Sequence, residues 1–334
     1  MIREAIARAV DGGTLSEVES RAVMEEIMEG RATDAQIAAF LVALRMRGET
    51  VEELIGAAKV MREKATEVPV GVDAVDTCGT GGDGAGTFNI STVAAFVVAG
   101  AGVPVAKHGN RSVSSRCGSA DLLEALGVRL DLPPEKMARC VEEVGIGFLF
   151  APLLHRAMKY AIGPRREIGV RTLFNLLGPI TNPAGVRRQV LGVYSPERVE
   201  QMAEVLKGLG AERALVVHGE GMDEATVCGT TFVGELRDGE VRTYQVVPED
   251  FGLGRAKMVE LSGGDVRTNV EVAERVLKGE PGPKRDVVVL NAGAAIWVGG
   301  KASSWEEGIK MAEEAIDTGK AWSKVEELRK FTRG

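Results

Sequence analysis

The stretch that decides the fold is DTCGTGGDGAGTFNIST (76–92) followed by AKHGNRSVSSRCGSAD (106–121), two polar loops rich in glycine. Each lies between a short apolar run and a stretch with helical spacing, which is typical of strand–loop–helix units in a parallel sheet. Residues 84–120 contain no Asp or Glu, although the chain has 48 acidic residues in 334, and they include Lys107, Arg111 and Arg116. A cationic, glycine-rich surface in an acidic chain predicts a site for a small, highly charged anion such as phosphate.

The composition excludes several classes of protein. The net charge of −7 argues against non-specific attraction to nucleic acid or to anionic lipid. The four cysteines are far apart and form no CxxC pair, so neither a zinc cage nor a disulfide framework is indicated. Residues 1–10 lack a signal-peptide core, and no apolar run is long enough to span a membrane. We therefore expect a cytoplasmic protein that binds neither nucleic acid nor membrane.

The first 66 residues predict helices only. Ser16 and Glu19 form a possible capping box before one helix. A second helix is predicted from Thr33-Asp34 to Gly48, and a third over Val51–Ala65. Such helices more often build a domain or a subunit interface than bear catalytic residues.

From Val70 onward, short apolar runs alternate with helical stretches, which predicts a mostly parallel central sheet flanked by helices. Strands are predicted at Ala74–Asp76, Val103–Ala106, Val190–Tyr194 and Ala214–Val217, and helices at Thr92–Ala99, Ala120–Leu126, Glu135–Val144 and Glu197–Leu209. A hairpin turning at Asp238-Gly239 and a helical end over Ala292–Phe331 follow. We predict an α/β protein with a small all-helical domain (1–68, with a returning segment near 163–188) and a larger α/β domain (69–162 and 189–334).

The first loop matches GxGxxG from Gly79 to Gly84. A dinucleotide site of that type normally has an acidic residue about 20 positions later to hold a ribose hydroxyl. Here the next strand ends in Lys107-His108 instead, so an NADP-dependent oxidoreductase stays an alternative, and a P-loop is disfavoured because no GK[ST] follows. The glycines leave amide N–H groups free to approach an anion, and Asn89-Ile-Ser-Thr92 begins the next helix with capping side chains. An ordinary capped helix after a flexible loop is the alternative.

The second loop, from Lys107 to Ser115, has cations and hydroxyls without carboxylates. Lys107 suits a phosphate as a point charge, Arg111 can bind one through two N–H groups, and Ser119 can cap the next helix. A solvated basic loop is the alternative. Clustered phosphates usually require Mg²⁺, whose candidate ligands are Asp223 and Glu224 in the glycine-flanked loop HGEGMDE (218–224). An acidic pair in a solvated turn is the alternative there.

Five ordered motifs together resemble the anthranilate phosphoribosyltransferase family. They are DTCGTGGDG with TFNIST, KHGNRSVSS with GSADLLEALG, the segment RREIGVRTLFNLLGPITNP, HGEGMDE, and LNAGAAIWV near the end. The likeness runs along nearly the whole chain. It implies transfer of the phosphoribosyl group from phosphoribosyl pyrophosphate (PRPP) to the amine of anthranilate, with release of pyrophosphate, in tryptophan biosynthesis. The fold is shared with nucleoside phosphorylases, which would use free phosphate and a nucleoside base.

The resemblance also implies site residues. Those for PRPP are Gly79, Gly82, Asp83, Thr87, Asn89, Ile90, Ser91 and Thr92, and Lys107, His108, Gly109, Asn110, Arg111, Ser112, Val113, Ser114, Ser115 and Ser119. Anthranilate is expected to meet Gly79, Asn110 and Arg165, and Mg²⁺ to meet Ser91, Asp223 and Glu224. No general base is required. His108 is a candidate for a catalytic role, and a structural histidine that turns the loop is an equal alternative.

One segment departs from the family's pattern. Where the family often has His-Pro-Ala-Met, this chain has His155-Arg-Ala-Met158, which removes a proline and adds the charge of Arg156. The change leaves the expected reaction intact but bears on how the acceptor enters. A homodimer through the N-terminal helices is expected from the resemblance. A nucleic-acid-binding relative without activity is a further alternative, but it would have a basic surface and degraded loops, and the sequence shows neither.

Overall fold

The N-terminal fifth of the chain forms a layer of four helices. The computed structural model describes residues 1–111 and 116–334. The four helices are α1 (Ile2–Val10), α2 (Glu17–Met28), α3 (Asp34–Arg47) and α4 (Val51–Lys64). Ser16, Thr33 and Thr50 each cap a helix by accepting a hydrogen bond from the backbone N–H three residues later. The helix starts that the sequence predicts at these three positions are confirmed.

A seven-stranded sheet forms the centre of the rest of the molecule. Its strands are β1 (Val75–Gly79), β2 (Val105–Gly109), β3 (Ile146–Phe150), β4 (Arg188–Gly192), β5 (Arg213–Gly219), β6 (Thr231–Arg237) and β7 (Glu240–Val246). The strand order is β3-β2-β1-β4-β5-β6-β7, in which β1 to β5 are parallel and the β6–β7 hairpin is antiparallel. The predicted fold class is confirmed. The order reverses between β1 and β4, and ligands of such sheets bind at that point, outside the carboxyl ends of the strands.

The first two strands reach further toward the loops than the apolar runs indicate. β1 continues past Asp76 through Thr77, and β2 continues past Ala106 through Lys107 and His108. These three residues are polar, yet their side chains are buried. The prediction is wrong on these strand ends because it equates burial with apolar residues, whereas these polar groups are buried with partners. The prediction also lacks β3. Only Gly145 separates this strand from the helical stretch before it, so no loop marks its start in the sequence.

Helices cover both faces of the sheet. After β1, β2 and β3 come α5 (Ile90–Gly100), α6 (Ser119–Ala125), α7 (Pro134–Arg139), α8 (Ala151–Leu154), α9 (Lys159–Ile168) and α10 (Leu173–Leu177). After β4 and β7 come α11 (Arg198–Gly208), α12 (Val266–Leu277), α13 (Pro283–Val298), α14 (Trp305–Asp317) and α15 (Lys320–Arg333). Helix α5 is buried along most of its length and packs on α13, α14 and α15. The core thus fixes the start of α5 at the carboxyl end of β1.

Two apolar clusters lie on opposite sides of the sheet. One joins α5 and the C-terminal helices to the sheet. The other joins the four N-terminal helices to the opposite face of β4 and β5, and it includes Leu173, Phe174 and Leu177 of α10. Helices α9 and α10 therefore pack on the N-terminal layer although they lie far along the chain. The domain limits at 68, 163 and 188 stay a prediction. Within residues 1–111 and 116–334, no helix is both long and apolar enough to cross a membrane.

A buried carboxylate holds the N-terminal layer together. Glu53 is fully buried in α4, and its carboxylate accepts hydrogen bonds from the backbone N–H groups of Leu15 (2.9 Å) and Thr50 (2.9 Å). It also forms an ion pair with Arg47, which is itself largely buried. Glu53 therefore links α4 to α3 and to the turn before α2.

We expect Glu53→Ala to lower the free energy of unfolding by about 3–5 kcal/mol, because the substitution leaves the charge of the Arg47 guanidinium without its carboxylate and the N–H groups of Leu15 and Thr50 without an acceptor. Chemical denaturation monitored by circular dichroism measures the change. The matched control is Glu52→Ala at the neighbouring exposed position, where we expect a change within about 0.5 kcal/mol. Equal effects of the two substitutions would contradict the assigned role of Glu53.

Candidate active site

The candidate site lies where the carboxyl ends of β1 and β4 meet. Gly79 and Gly192 are paired in register at these ends, and the N–H of Thr80 donates to the carbonyl of Gly192 (3.0 Å). Asp223 lies directly across both glycines. A Cβ on Gly79 would come within 2.2 Å of the Asp223 carboxylate, and a Cβ on Gly192 within 1.5 Å of its backbone carbonyl oxygen. Only glycine at both positions lets the Asp223 segment approach the sheet so closely.

Three acidic side chains from distant parts of the chain converge at this point. The Asp223 carboxylate accepts a hydrogen bond from the N–H of Gly81 (2.7 Å), and the N–H of Asp223 donates to Asp83 (3.2 Å). Glu224 accepts a hydrogen bond from the N–H of Ser91 (3.0 Å) in the first turn of α5. The predicted proximity of Ser91 and Glu224 is thus present, and Asp83 lies against the same group.

Burial and mutual repulsion disfavour the charged forms of these carboxylates. Burial raises the pKa of Asp223 well above its ordinary value, and the negative charges of Asp83 and Glu224 raise it further. Burial likewise raises the pKa of Glu224 to about 7, although the charge of Lys107 and the Ser91 hydrogen bond oppose the shift. A bound divalent cation would relieve this repulsion.

The donor set fits a cation whose coordination is completed by ligand and water. In the described part of the chain, no group of three or more His, Cys, Asp or Glu side chains is arranged to hold a metal ion unaided. Mg²⁺ usually takes one or two carboxylates together with waters and substrate phosphates. Asp223 and Glu224, with the hydroxyl of Ser91, therefore fit Mg²⁺ bound together with a polyphosphate.

Lys107 lies beneath the start of α5, not in an open loop. Its side chain is buried, and its ammonium donates to the carbonyl of Thr77 and lies 3.4 Å from the hydroxyl of Ser91. Its charge lowers the pKa of Glu224 and of Asp76, whereas burial raises the pKa of Asp76 to about 6. Lys107 therefore supplies positive charge directly below the acidic group.

Two polar atoms in the first loop are buried without a partner in the part of the chain that the structure describes. They are the hydroxyl of Thr80 and the side-chain oxygen of Asn89. Asn89 uses its amide N–H₂ to donate to the carbonyl of Cys117 (3.0 Å), so its oxygen remains an available acceptor. A buried polar atom without a partner is costly, and a bound ligand with hydroxyl groups would satisfy it.

The second loop begins with a turn around Asn110. The carbonyl of Asn110 accepts from the N–H of Ala120 (3.2 Å) and from the hydroxyl of Ser119 (3.1 Å), which brings both ends of the loop together. The guanidinium of Arg111 pairs with Asp121 (2.9 Å) and Glu124 (2.8 Å) on α6. Arg111 would have to break these ion pairs in order to bind a phosphate. Ser112, Val113, Ser114 and Ser115 lie outside the described residues.

Two histidine side chains are in contact on the side of β2. The Nε2 atoms of His108 and His155 are 3.2 Å apart, and both rings are buried. Burial lowers the pKa of His108 to about 3, aided by the charge that His155 would bear, and lowers the pKa of His155 to about 4. The two rings are therefore neutral near pH 7. Arg156, which follows His155, is exposed.

Arg165 places a positive charge beside an aromatic ring. It lies in the last turn of α9, half-buried, with its guanidinium 5.1 Å from the centre of the Phe174 ring. Burial lowers its pKa, and no ion pair involves it among residues 1–111 and 116–334. An arginine in such surroundings fits the carboxylate of a flat aromatic ligand.

Most of the residues predicted for PRPP lie together at one edge of the sheet, whereas Arg165 lies in α9 beside Phe174. At the ends of β1 and β2 and the start of α5 lie Gly79, Gly82, Asp83, Thr87, Asn89, Ile90, Ser91, Thr92, Lys107, His108, Gly109 and Asn110. Asp223 and Glu224 contact this group, whereas Arg111 points to α6.

Sequence reasoning misses Arg171 and His155. Arg171 donates to the carbonyl of Gly82 (2.5 Å) and lies over the ring of Tyr194 (4.5 Å), so it supports the glycine loop from outside. The signal available for Arg171 is its place within the GVRT motif.

Comparison with known proteins identifies the family. Residues 71–322 match the model of the glycosyl transferase family a/b domain, and residues 3–65 that of its helical bundle domain. Anthranilate phosphoribosyltransferase of Acetivibrio thermocellus is 55% identical, over 99% of this chain and 97% of that protein, and the Pelotomaculum thermopropionicum enzyme of that name is 58% identical over the same shares. The chain belongs to the anthranilate phosphoribosyltransferase family.

Solved structures of the anthranilate phosphoribosyltransferase family superpose on the whole chain. The crystal structure of the Thermus thermophilus protein has a TM-score of 0.94 at 48% identity and covers 99% of each chain. The Saccharomyces cerevisiae enzyme in complex with PRPP and Mg has a TM-score of 0.89 at 26% identity, over 99% of this chain and 98% of that one. The family predicted from the five motifs is confirmed. The individual site assignments stay predictions.

The buried histidine pair makes stability depend on pH. Because the folded-state pKa values of His108 and His155 are lowered, the unfolded chain binds more protons below about pH 6.5. The two histidines therefore make a positive contribution to the slope of the free energy of unfolding against pH between about pH 4 and 6.5, whereas the raised pKa values of the buried carboxylates Asp76 and Glu224 make a negative one. We expect His155→Gln to reduce that slope by about 1.4 kcal/mol per pH unit, which corresponds to one proton.

Urea denaturation at several pH values between about 4.5 and 7 measures this slope, since the two histidines titrate in the unfolded chain within that range. Arg156→Ala, at the exposed neighbouring position, is the control that should leave the slope unchanged. An identical slope in wild type and His155→Gln would show that His155 does not titrate in this way.

Proposed function

We infer that this chain is an anthranilate phosphoribosyltransferase, which transfers the 5-phosphoribosyl group of PRPP to the amine of anthranilate and releases pyrophosphate. The observation that supports this best is the juxtaposition of Asp223 and Glu224 with the glycine loop and the start of α5. Such a site suits a polyanionic donor bound with a cation. Full-length relatives at 55% and 58% identity are enzymes of that name.

We propose that PRPP binds with its pyrophosphate on the first loop and its phosphoribosyl group along the second. The positive φ angles of Gly82, Gly84 and Gly86, which let backbone N–H groups approach an anion, and the positive end of the α5 dipole support the first assignment. The unpartnered oxygen of Asn89 suits a hydroxyl of the ribosyl group. Asn110 and Ser119, joined at the base of the second loop, support the other.

We propose that Asp223, Glu224 and Ser91 hold Mg²⁺. Bound there, Mg²⁺ would offset negative charge as it develops on the departing pyrophosphate. The Saccharomyces cerevisiae relative has been solved in complex with PRPP and Mg. The residues of this chain would supply the remaining charge stabilisation. Lys107 lies below the acidic group, and the N–H groups of the first loop would face the leaving oxygens. Preorganised donors lower the barrier most at the atoms where charge develops.

We propose that Arg165 binds the carboxylate of anthranilate, with Asn110 and Gly79 beside it. The half-buried guanidinium over Phe174 supports this role. A Saccharomyces cerevisiae relative, 25% identical over the whole chain, has been solved in complex with 4-fluoroanthranilate. The amine nitrogen then bonds to the ribosyl carbon as the bond from that carbon to the pyrophosphate oxygen breaks, and the amine gives up one proton to the departing pyrophosphate or to water.

Positioning accounts for this chemistry without a strong base. Holding the amine close to the ribosyl carbon replaces an encounter in solution with a reaction inside one complex. His108 has a pKa of about 3, so it accepts a proton poorly at neutral pH. We therefore propose that His108 shapes the cleft with His155 and does not act as the base.

We propose that the enzyme is a cytoplasmic homodimer that associates through its N-terminal helices. Val18 and Met46 are highly exposed on α2 and α3, with exposed fractions of 74% and 83%, which supports an interface there. Light scattering after gel filtration would measure the mass directly, and a monomer would contradict the proposal.

One assay tests the activity itself. Anthranilate is fluorescent, so its consumption is followed continuously after PRPP and Mg²⁺ are added, with a control that contains chelator in place of Mg²⁺. Consumption that requires both additions supports the function. The absence of any consumption would refute it.

We expect Asp223→Asn with Glu224→Gln to reduce Mg²⁺-dependent turnover by about a thousandfold, because several kcal/mol of charge stabilisation are lost. The fold should survive, since the substitution removes buried repulsion. The matched control is Glu220→Gln, exposed in the same loop, and it should retain full turnover. Unchanged kinetics in the double variant would remove the metal assignment.

We expect Arg165→Ala to raise KM for anthranilate by about 10- to 100-fold, because a charge-assisted contact worth roughly 1.5–3 kcal/mol is lost. Steady-state kinetics with each substrate varied in turn measure the effect. Arg166→Ala, at the adjacent exposed position, should be close to wild type. A rise in KM for PRPP alone would contradict the role of Arg165.

A further inference from the structure

A second cavity lies beside the glycine loop, on the side of β4. It has a volume of about 610 Å³ and lies between the end of α3 and the start of α11. Its lining consists of Arg45, Gly48, Arg171, Tyr194, Ser195, Glu197, Arg198 and Gln201. None of these residues is among those assigned above to PRPP, anthranilate or Mg²⁺.

Two of the three arginines in this cavity lack an acidic partner among the residues that the structure describes. Arg198 pairs with Glu49 (2.7 Å) and donates to Gln201 (2.5 Å), so its charge is already compensated. Arg45 is half-buried, and neither a hydrogen bond nor an ion pair of its side chain occurs in the described part of the chain. Arg171 uses one N–H for the carbonyl of Gly82 and forms no ion pair with a described residue.

Glu197 is the acidic residue in the lining of the cavity, and its carboxylate has a hydrogen-bond partner. Glu197 accepts a hydrogen bond from the hydroxyl of Ser195. The cavity therefore presents the donors of two guanidinium groups beside one carboxylate, which keeps its negative charge, so that positive charge still exceeds negative charge in the lining. Guanidinium pairs recognise phosphate oxygens well, because each offers a planar fork of N–H donors.

We propose that this cavity is a second anion subsite, which binds a small phosphate oxyanion such as pyrophosphate through Arg45 and Arg171. The proposal rests on the proposed function only for the identity of pyrophosphate as the product. Arg171 contacts both the cavity and Gly82, so occupation of the subsite changes how the first loop is held. The subsite is thereby coupled to binding of the donor.

Inhibition by pyrophosphate tests the proposal. In the wild type, with PRPP varied and anthranilate saturating, we expect mixed inhibition, because pyrophosphate binds at both the donor site and the subsite. In Arg45→Ala the inhibition should become purely competitive, while kcat without pyrophosphate stays close to that of the wild type. Arg3→Ala, an exposed arginine of α1 without an ion pair in the described residues, is the control and should behave as wild type.

Calorimetry with Mg²⁺ and pyrophosphate gives a readout that needs no turnover. We expect two sites per chain in the wild type, and in Arg45→Ala the second should weaken more than about tenfold, as loss of a charge-assisted contact implies. A second titration with inorganic phosphate shows whether one phosphoryl group is sufficient. A single site in both proteins, or purely competitive inhibition in the wild type, overturns the subsite. Loss of all anthranilate consumption would instead refute the proposed function, since the number of binding sites is measured independently.

Discussion

The structure depends on the confinement of the Asp223 carboxylate against the ends of β1 and β4. Glycine at 79 and 192 removes the side chains that would occupy its place, and the N–H of Gly81 provides a hydrogen bond. The carboxylate is nevertheless disfavoured in its charged form by burial and by Asp83 and Glu224. A fold that buries like charges at the point where its strand order reverses has a binding site that is most stable when a cation occupies it.

The positive charge that balances this group comes from within the sheet. Lys107 lies in β2 and reaches across to Thr77 of β1 and to Ser91 of α5. Asp76, fully buried in β1, accepts from the N–H of His108 (3.2 Å) and from the amide of Asn182 (2.8 Å), and so fixes the neighbouring strand end. The absence of acids from residues 84–120 is thus explained. Asp223 and Glu224, which meet the charge of Lys107, come from a distant segment, so the fold sets their positions in the site.

Much of this arrangement could be predicted from the sequence, because local signals decide it. Capping residues Ser16, Thr33 and Thr50 mark helix starts wherever they occur, and Asp238-Gly239 marks a tight hairpin. The burial of polar residues in β1 and β2 could not be predicted, since it depends on partners such as Asn182 that lie about a hundred residues away. The His108–His155 contact and the salt bridges of Arg111 to α6 are likewise tertiary facts. The spacing of apolar residues along the sequence does not reveal such contacts.

The segment from α9 to α10 explains why the helical layer and the sheet act together. Arg165 and Arg171 are six residues apart, on either side of Gly169, whose positive φ of 66° ends α9. One guanidinium faces Phe174 and the other holds the carbonyl of Gly82. Because α9 and α10 pack on α3 and α4, a movement of the helical layer displaces both arginines at once. The proposed acceptor site and the glycine loop are therefore held through the same two helices. For a reaction that relies on bringing an amine to a carbon, a shared support of this kind favours the correct alignment of the two substrates.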